Sequence, residues 1–248
     1  MAILTTFTGT MAKFYDEFDA SKIGAETQKV TITNAAYTIA DLSAIKLAAA
    51  NATIVLQAAA NPQLEGDVAG LTAALTDIKY SGAITVSGAL DNTTLAGVLA
   101  LTTGKVTADV SGTAAALVEA LEAETTVNAL TVTVADDAAT TAADLKILDA
   151  KTSVTVDASA VTAITGTAAE LKTVLAAKTI TLDTTTVTVT VDGKVSAADL
   201  NTIAKATEGK VTAEVEGSAA ALNAALKNTN DSDEISITLT GTTATAKD

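Results

Sequence analysis

The 248-residue chain contains no cysteine, histidine, tryptophan or arginine, and all fifteen of its basic residues are lysines. Without cysteine and histidine, the chain has no disulfide, no thiol nucleophile, no Ser-His-Asp triad and no zinc site of the Cys/His type. Without arginine, it lacks the guanidinium fork that commonly holds phosphates and base edges. Most reactions recruit the missing groups, so we expect a protein that is not an enzyme and has no catalytic residue and no cofactor-binding residue.

Aromatic residues are also scarce, at 2% of the chain, although hydrophobic residues reach 48%. A core made of alanine, valine, threonine and leucine must be thin and regular, because large rings are missing. The net charge of −14 repels nucleic acid and anionic membranes, so neither is an expected partner. No run of eighteen apolar residues occurs and the first residues do not resemble a signal peptide, so we expect no membrane insertion.

A short motif with glycine first and leucine sixth occurs four times along the chain, at residues 66–71, 112–117, 166–171 and 217–222. A second leucine follows four positions later in each copy, at Leu75, Leu121, Leu175 and Leu226. We predict that each motif starts a short helix, capped by Thr113, Thr167 or Ser218 in the last three copies, with both leucines facing a sheet. Self-similarity of this kind is typical of stacked structural repeats.

Alternating apolar residues predict nine strands, which begin at Val30, Ile54, Ile84, Val106, Leu130, Val154, Val187, Val211 and Ile235. Between them lies a second helix type, in which a hydroxyl residue precedes an acid by three positions, as in a capping box: Thr38/Asp41, Thr141/Asp144 and Ser196/Asp199. The corresponding segment at Asp91 departs from this pattern, and we expect its helix to start less firmly.

Together these signals predict an α/β repeat solenoid, in which parallel strands are backed by short alanine-rich helices at about 24 residues per coil. Residues 29–240 would form four double repeats plus a final strand, residues 1–28 an N-terminal cap or assembly segment, and residues 241–248 a C-terminal tail. The longer connections after Ile54 and Val154 predict bulges that project from one face of the solenoid.

The N-terminal segment holds all three phenylalanines, Phe7, Phe14 and Phe18, together with Tyr15, and predicts one amphipathic helix over residues 10–25. It either covers the first coil as a hydrophobic cap or docks on the next molecule. The final strand has no aromatic cap of its own, so its apolar residues Ile235, Ile237 and Leu239 are the other candidates for an assembly interface.

Calcium is the one metal that the sequence leaves open. Asp109, Asp157 and Glu214 recur at one strand position and would align on alternate coils, where calcium could bridge them or where they could simply form a solvated face. Asn230, Asp231 and Asp233 form the densest group of oxygen ligands, but this group lacks the glycine and distal glutamate of an EF-hand loop, and a polar turn explains it equally well.

The strings Val106-Thr-Ala-Asp-Val-Ser-Gly-Thr-Ala-Ala-Ala-Leu117 and Val211-Thr-Ala-Glu-Val-Glu-Gly-Ser-Ala-Ala-Ala-Leu222 resemble the Ala/Thr/Val-rich repeats of large bacterial surface proteins. Such repeats occur in secreted S-layer-like and adhesin-like proteins of cyanobacterial type. The resemblance implies an extracellular or cell-surface location and a structural subunit that assembles with itself, end to end, into a filament or surface layer. The alternative is an adhesin or fibre-like binding module that recognises surface glycans or another protein.

Overall fold

The computed structural model describes residues 2–57, 61–138 and 140–240, and the predicted tail 241–248 lies outside this part of the chain. The protein has an α/β fold with parallel sheets and short helices. It divides into two compact units: unit 1 comprises residues 1–110 and 124–130, and unit 2 comprises residues 111–123 and 131–248.

Unit 1 alternates strands and helices along the chain. Its elements are β1 (Thr6–Gly9), α1 (Met11–Asp19), β2 (Lys29–Ile32), α2 (Ile39–Ala48), β3 (Thr53–Leu56), β4 (Leu64–Gly66), α3 (Val68–Leu75), β5 (Ile84–Asp91), α4 (Asn92–Leu99) and most of β6 (Val106–Gly112). The strand orders are β1-β2-β3 and β4-β5-β6, and α3 lies against both α2 and α4.

Unit 2 follows the same scheme. Its elements are α5 (Ala114–Ala120), most of β7 (Ala129–Val134), α6 (Ala142–Lys151), β8 (Val156–Asp157), β9 (Ala163–Gly166), α7 (Ala168–Ala176), β10 (Ile180–Thr181), β11 (Thr188–Val195), α8 (Ala197–Ala206), β12 (Val211–Gly217), α9 (Ala219–Ala225) and β13 (Glu234–Leu239). The strand orders are β7-β8-β10 and β9-β11-β12-β13, and the helices α5 to α9 contact one another in chain order.

Neighbouring strands with an assigned register are parallel in both units. In the longer strands the side chains alternate as predicted: in β6, Val106, Ala108 and Val110 are buried, whereas Thr107 and Asp109 are exposed. The short aliphatic side chains thus form one apolar face beneath the helices, and the hydroxyl and acidic side chains form the opposite, solvated face.

The helix starts were well predicted from the sequence. Thr38 makes the full capping box with Asp41, and the side chains of Thr113, Thr141, Thr167, Ser196 and Ser218 all accept hydrogen bonds from the predicted backbone groups. The expectation of a weaker start at Asp91 is wrong, because Asp91 is itself the N-cap of α4 and forms a capping box with Thr94. A carboxylate suits this position, where unpaired backbone N–H groups point at it.

The predicted leucine pairs are only partly buried. The first leucine of each motif is buried in all four helices, as Leu71, Leu117, Leu171 and Leu222. The second leucine is buried at Leu75 and Leu121, but Leu175 and Leu226 remain partly exposed. In α7 the reason is that Val174 takes the buried position beside Leu171.

The N-terminal helix is shorter than predicted, because it spans Met11–Asp19 rather than residues 10–25. Ser21 adopts a left-handed conformation with φ 55°, and its N–H donates to the Phe18 carbonyl while the Lys22 N–H donates to the Glu17 carbonyl. These two bonds form a Schellman motif, which ends the helix. Glycine usually marks this position, and serine here gave no such signal.

The structure also contains strands that the alternation did not predict: β1, β4, β9 and β10. β4 and β9 lie in the two longer connections, so the prediction that these connections project as bulges is wrong over Leu64–Gly66 and Ala163–Gly166. The predicted strand at Val154 begins at Val156 instead. Part of the first connection, residues 58–60, lies outside the described residues.

Candidate assembly surfaces

Among the described residues of unit 2, β13 carries the most exposed large apolar side chains. Ile237 and Leu239 are each 54% exposed. They pair in register with Val215 and Gly217 of β12, so they lie on the same face of the sheet as the buried Val215. These side chains therefore continue the core face of the sheet, but among the described residues no helix follows β13 to cover them.

The backbone of β13 also presents hydrogen-bonding groups at the sheet edge. The Thr240 N–H donates to the Gly217 carbonyl at 2.9 Å, so Thr240 points toward β12. Because backbone groups of successive strand residues point to opposite sides, Ile235, Ile237 and Leu239 direct their N–H and C=O groups away from β12. β13 ends its sheet among the described residues, so these groups form an edge that another strand can join.

The N-terminal aromatic residues form one cluster in unit 1, although only some of them are available at the surface. The rings of Phe7 and Phe14 meet edge to face at 5.6 Å, and both side chains are buried. Phe18 stacks on Phe14 at 6.4 Å and is 43% exposed, and Tyr15 is 37% exposed. Phe7 and Phe14 therefore act as a local core, while Tyr15 and Phe18 remain as surface candidates.

Tyr15 is held in place by α2. Its hydroxyl donates to the Asp41 carboxylate at 2.5 Å, and this hydrogen bond, with some burial, raises the pKa of Tyr15 to about 12. Burial raises the pKa of Asp41, but hydrogen bonds from Tyr15 and Thr38 outweigh it and leave that pKa below its ordinary value. The bond joins α1 to the start of α2 and thereby fixes the N-terminal segment on unit 1.

The first strand of unit 1, β1, also has an open edge, on its side away from β2. The N–H of Lys29 donates to the Thr5 carbonyl and that of Thr33 donates to the Gly9 carbonyl, so Thr5, Phe7 and Gly9 point toward β2. Thr6 and Thr8 therefore direct their backbone groups outward. Both are exposed, and β1 ends its sheet among the described residues. This edge was hard to predict from the sequence, because β1 has only four residues.

Apart from Glu234 at the start of β13, which pairs with Lys210, the two edge strands lack the features that usually prevent strand association. Monomeric proteins protect sheet edges with lysine, proline, inward-pointing charges or bulges. Residues 2–12 contain no charged or proline residue, and neither do residues 235–240, although the chain has a net charge of −14. Two copies can therefore bring these strands together without placing like charges side by side.

The calcium candidates are not gathered into one site. Asp157 in β8 and Glu214 in β12 belong to different sheets of unit 2, while Asp109 lies in β6. Asp157 accepts hydrogen bonds from the hydroxyl and N–H of Ser159, which lower its pKa. Within the described residues, no group of three acidic side chains is placed to hold a metal ion.

The second candidate group, Asn230, Asp231 and Asp233, forms a polar turn before β13. Asn230 accepts from the N–H of Ser232, and Asp233 accepts from the N–H groups of Asn230 and Val211 at 2.8 Å. These oxygens are occupied in fixing the turn and in tying it to the start of β12. The arrangement accounts for the sequence pattern without a metal.

No family model matches the chain, and no curated protein or solved structure is significantly similar to it. In the part of the chain that the structure describes, no helix has the length and apolar character needed to cross a membrane. Among the end strands of the described sheets, β1 and β13 therefore offer the geometry from which a function can be inferred.

Proposed function

We propose that the chain is a repeat solenoid and that its repeats reuse the same local bonds. The segment 102–117 recurs as 207–222 with nearly the same sequence. The Thr102 hydroxyl donates to the Gly82 carbonyl and accepts from the Gly104 N–H. The hydroxyl of Thr207 likewise donates to the Val187 carbonyl and accepts from the Gly209 N–H. Such agreement between sequence and bonding supports tandem copying of one structural unit.

A second correspondence supports the same proposal. Gly88 in β5 has φ 92° and Gly193 in β11 has φ 70°, and each lies three residues before the N-cap of the next helix. Positive φ values are rare outside glycine, so both strands place a glycine with an unusual backbone conformation at the same distance from the next helix. Strands of successive coils lie parallel and helices contact in chain order within each unit, as stacking of coils requires.

The function we propose is that of a non-catalytic structural subunit that associates end to end into an extracellular filament or surface layer. The observation that carries this proposal is β13, whose core-face side chains and backbone edge are both exposed. Covering the exposed half of Ile237 and of Leu239 would contribute roughly 1 kcal/mol each. A repeated contact between different surfaces that does not close into a ring gives an open chain of subunits.

Electron microscopy of the purified chain at high concentration tests the proposed assembly. We expect filaments or sheets, and we expect calcium to change their stability only if the acidic side chains of neighbouring copies bind it. A matched sample without calcium distinguishes assembly of the chain itself from an effect of calcium on the stability of the assemblies. Particles that remain monomeric at every concentration, with and without calcium, would contradict the proposed function.

A further inference from the structure

We propose that the contact between copies is a parallel strand pair, formed by β13 of one copy and β1 of the next. This inference rests on the proposed self-assembly and specifies its interface. The occupant of the β13 edge is thus a second copy of the chain, bound through the strand that bears Thr6 and Thr8.

The directions of the backbone groups fit this pairing. On β13 the residues of the core face, Ile235, Ile237 and Leu239, point their N–H and C=O groups away from β12. On β1 the buried Phe7 points its groups toward β2, and the outward groups belong to Thr6 and Thr8. In a parallel ladder a residue pointing across the gap bonds the two neighbours of the residue opposite it. Ile237 opposite Phe7 would therefore bond Thr6 and Thr8.

The side chains favour one register. With Ile237 opposite Phe7, Leu239 lies opposite Gly9, so the two most exposed apolar residues of β13 both lie beside β1. Leu239 already faces Gly217 of β12, so glycine would flank it on both sides. On the outer face, Thr8 then lies opposite Thr238. The same register places the apolar faces of the two sheets on one side, with the helices of both copies.

A parallel pair of β13 and β1 uses the open edges of both strands, whereas two β13 strands related by two-fold symmetry use only one of them. Two copies of β13 can pair only antiparallel under two-fold symmetry, and that arrangement leaves the β1 edge open. The contact between β13 and β1 uses both edges and continues the parallel pairing found throughout the described ladders. It also leaves a free edge at each end of the assembled pair, so growth can continue.

Cysteine cross-linking tests the pairing cleanly, because the chain has no cysteine of its own. Thr8→Cys and Thr238→Cys proteins, mixed under mild oxidation, should form a disulfide-linked heterodimer, since paired strands bring the two Cα atoms within disulfide range. The control mixture replaces Thr8→Cys with Thr107→Cys, which is exposed on the outer face of β6. We expect little cross-linking in the control mixture.

A second pair of variants tests the backbone bonds. Thr8→Pro removes one outward N–H group of β1 without removing a bond to β2, whereas Thr8→Val keeps that group. We expect the proline variant to keep the thermal midpoint of the wild type but to lose assembly, and the valine variant to assemble normally. Circular dichroism melts and sedimentation measure the two effects.

The outcomes distinguish failure of the proposed strand pairing from failure of the proposed self-assembly. If wild-type protein assembles but Thr238→Cys links mainly to itself, or if Thr8→Pro assembles as well as wild type, the pairing is wrong while self-assembly stands. If the wild type never assembles, both the pairing and the proposed function fail.

Discussion

At the scale of single residues, Gly104 and Gly209 show how tightly the turns before neighbouring strands approach one another. A Cβ atom added to Gly209 would lie 2.0 Å from the carbonyl oxygen of Val187, and one added to Gly104 would lie 2.4 Å from that of Gly82. Backbone atoms cannot move aside as a flexible side chain can. These positions therefore require glycine for close packing rather than for an unusual φ angle.

Replacing Gly209 by alanine is expected to lower the free energy of unfolding by about 1–3 kcal/mol, because the added methyl overpacks the contact with the Val187 carbonyl. Chemical denaturation followed by circular dichroism measures the change. The matched control is Gly97→Ala in the middle of the exposed face of α4, where a new Cβ meets nothing within 4 Å.

The control should raise the free energy of unfolding by up to about 1 kcal/mol, because alanine favours helix more than glycine does. Equal effects of the two substitutions would show that the close approach at Gly209 is not a constraint on the fold.

At the scale of the helix and the strand, the sequence was informative wherever a pattern was long enough to repeat. In β6 and β12, buried and exposed side chains alternate over seven residues, and this pattern predicted both strands. Each strand is followed by a hydroxyl residue that caps the next helix, Thr113 for α5 and Ser218 for α9, so these helices were predicted as well. β4 and β10 contain only three and two residues, too few for alternation to distinguish a strand from a turn. The end of α1 depended on a Schellman motif in which Ser21, rather than a glycine, takes the left-handed conformation.

The start of α4 offers a pH test of helix capping. Hydrogen bonds from the backbone of Thr94 and from the hydroxyls of Thr93 and Thr94 lower the pKa of Asp91 from 3.8 to about 2. Because the folded pKa is lowered, the stabilisation is complete above about 3.8 and is lost as pH falls through about 2. Asp91→Asn should therefore melt below wild type at pH 7, and the difference should shrink across this window.

Thermal melts from pH 7 to pH 2 measure this difference. Asp109→Asn, at an exposed position of β6, removes the same charge without removing a cap. A gap between Asp91→Asn and wild type that stays constant down to pH 2 would contradict the capping role of the carboxylate.

At the scale of the whole molecule, the notable contrast is between a strongly acidic chain and two segments of its edge strands that carry no charge. Because of the net charge of −14, copies of the chain repel one another electrostatically, whereas residues 2–12 and 235–240 carry no charged side chain. The candidate interface was only half predictable from the sequence. Ile235, Ile237 and Leu239 stood out as an uncovered strand, but the burial of Phe7 and Phe14 moves the complementary surface from the aromatic rings to the backbone of β1.

The most direct test of this account is sedimentation velocity over a concentration series for wild type, Ile237→Lys and Ile147→Lys. Both isoleucines are exposed, at 54% and 40%, but Ile147 lies on α6, away from the β13 edge. Lysine on an edge strand blocks pairing, so we expect Ile237→Lys to stay monomeric while wild type and Ile147→Lys form growing assemblies. Assembly of Ile237→Lys to the same extent as wild type would contradict the account.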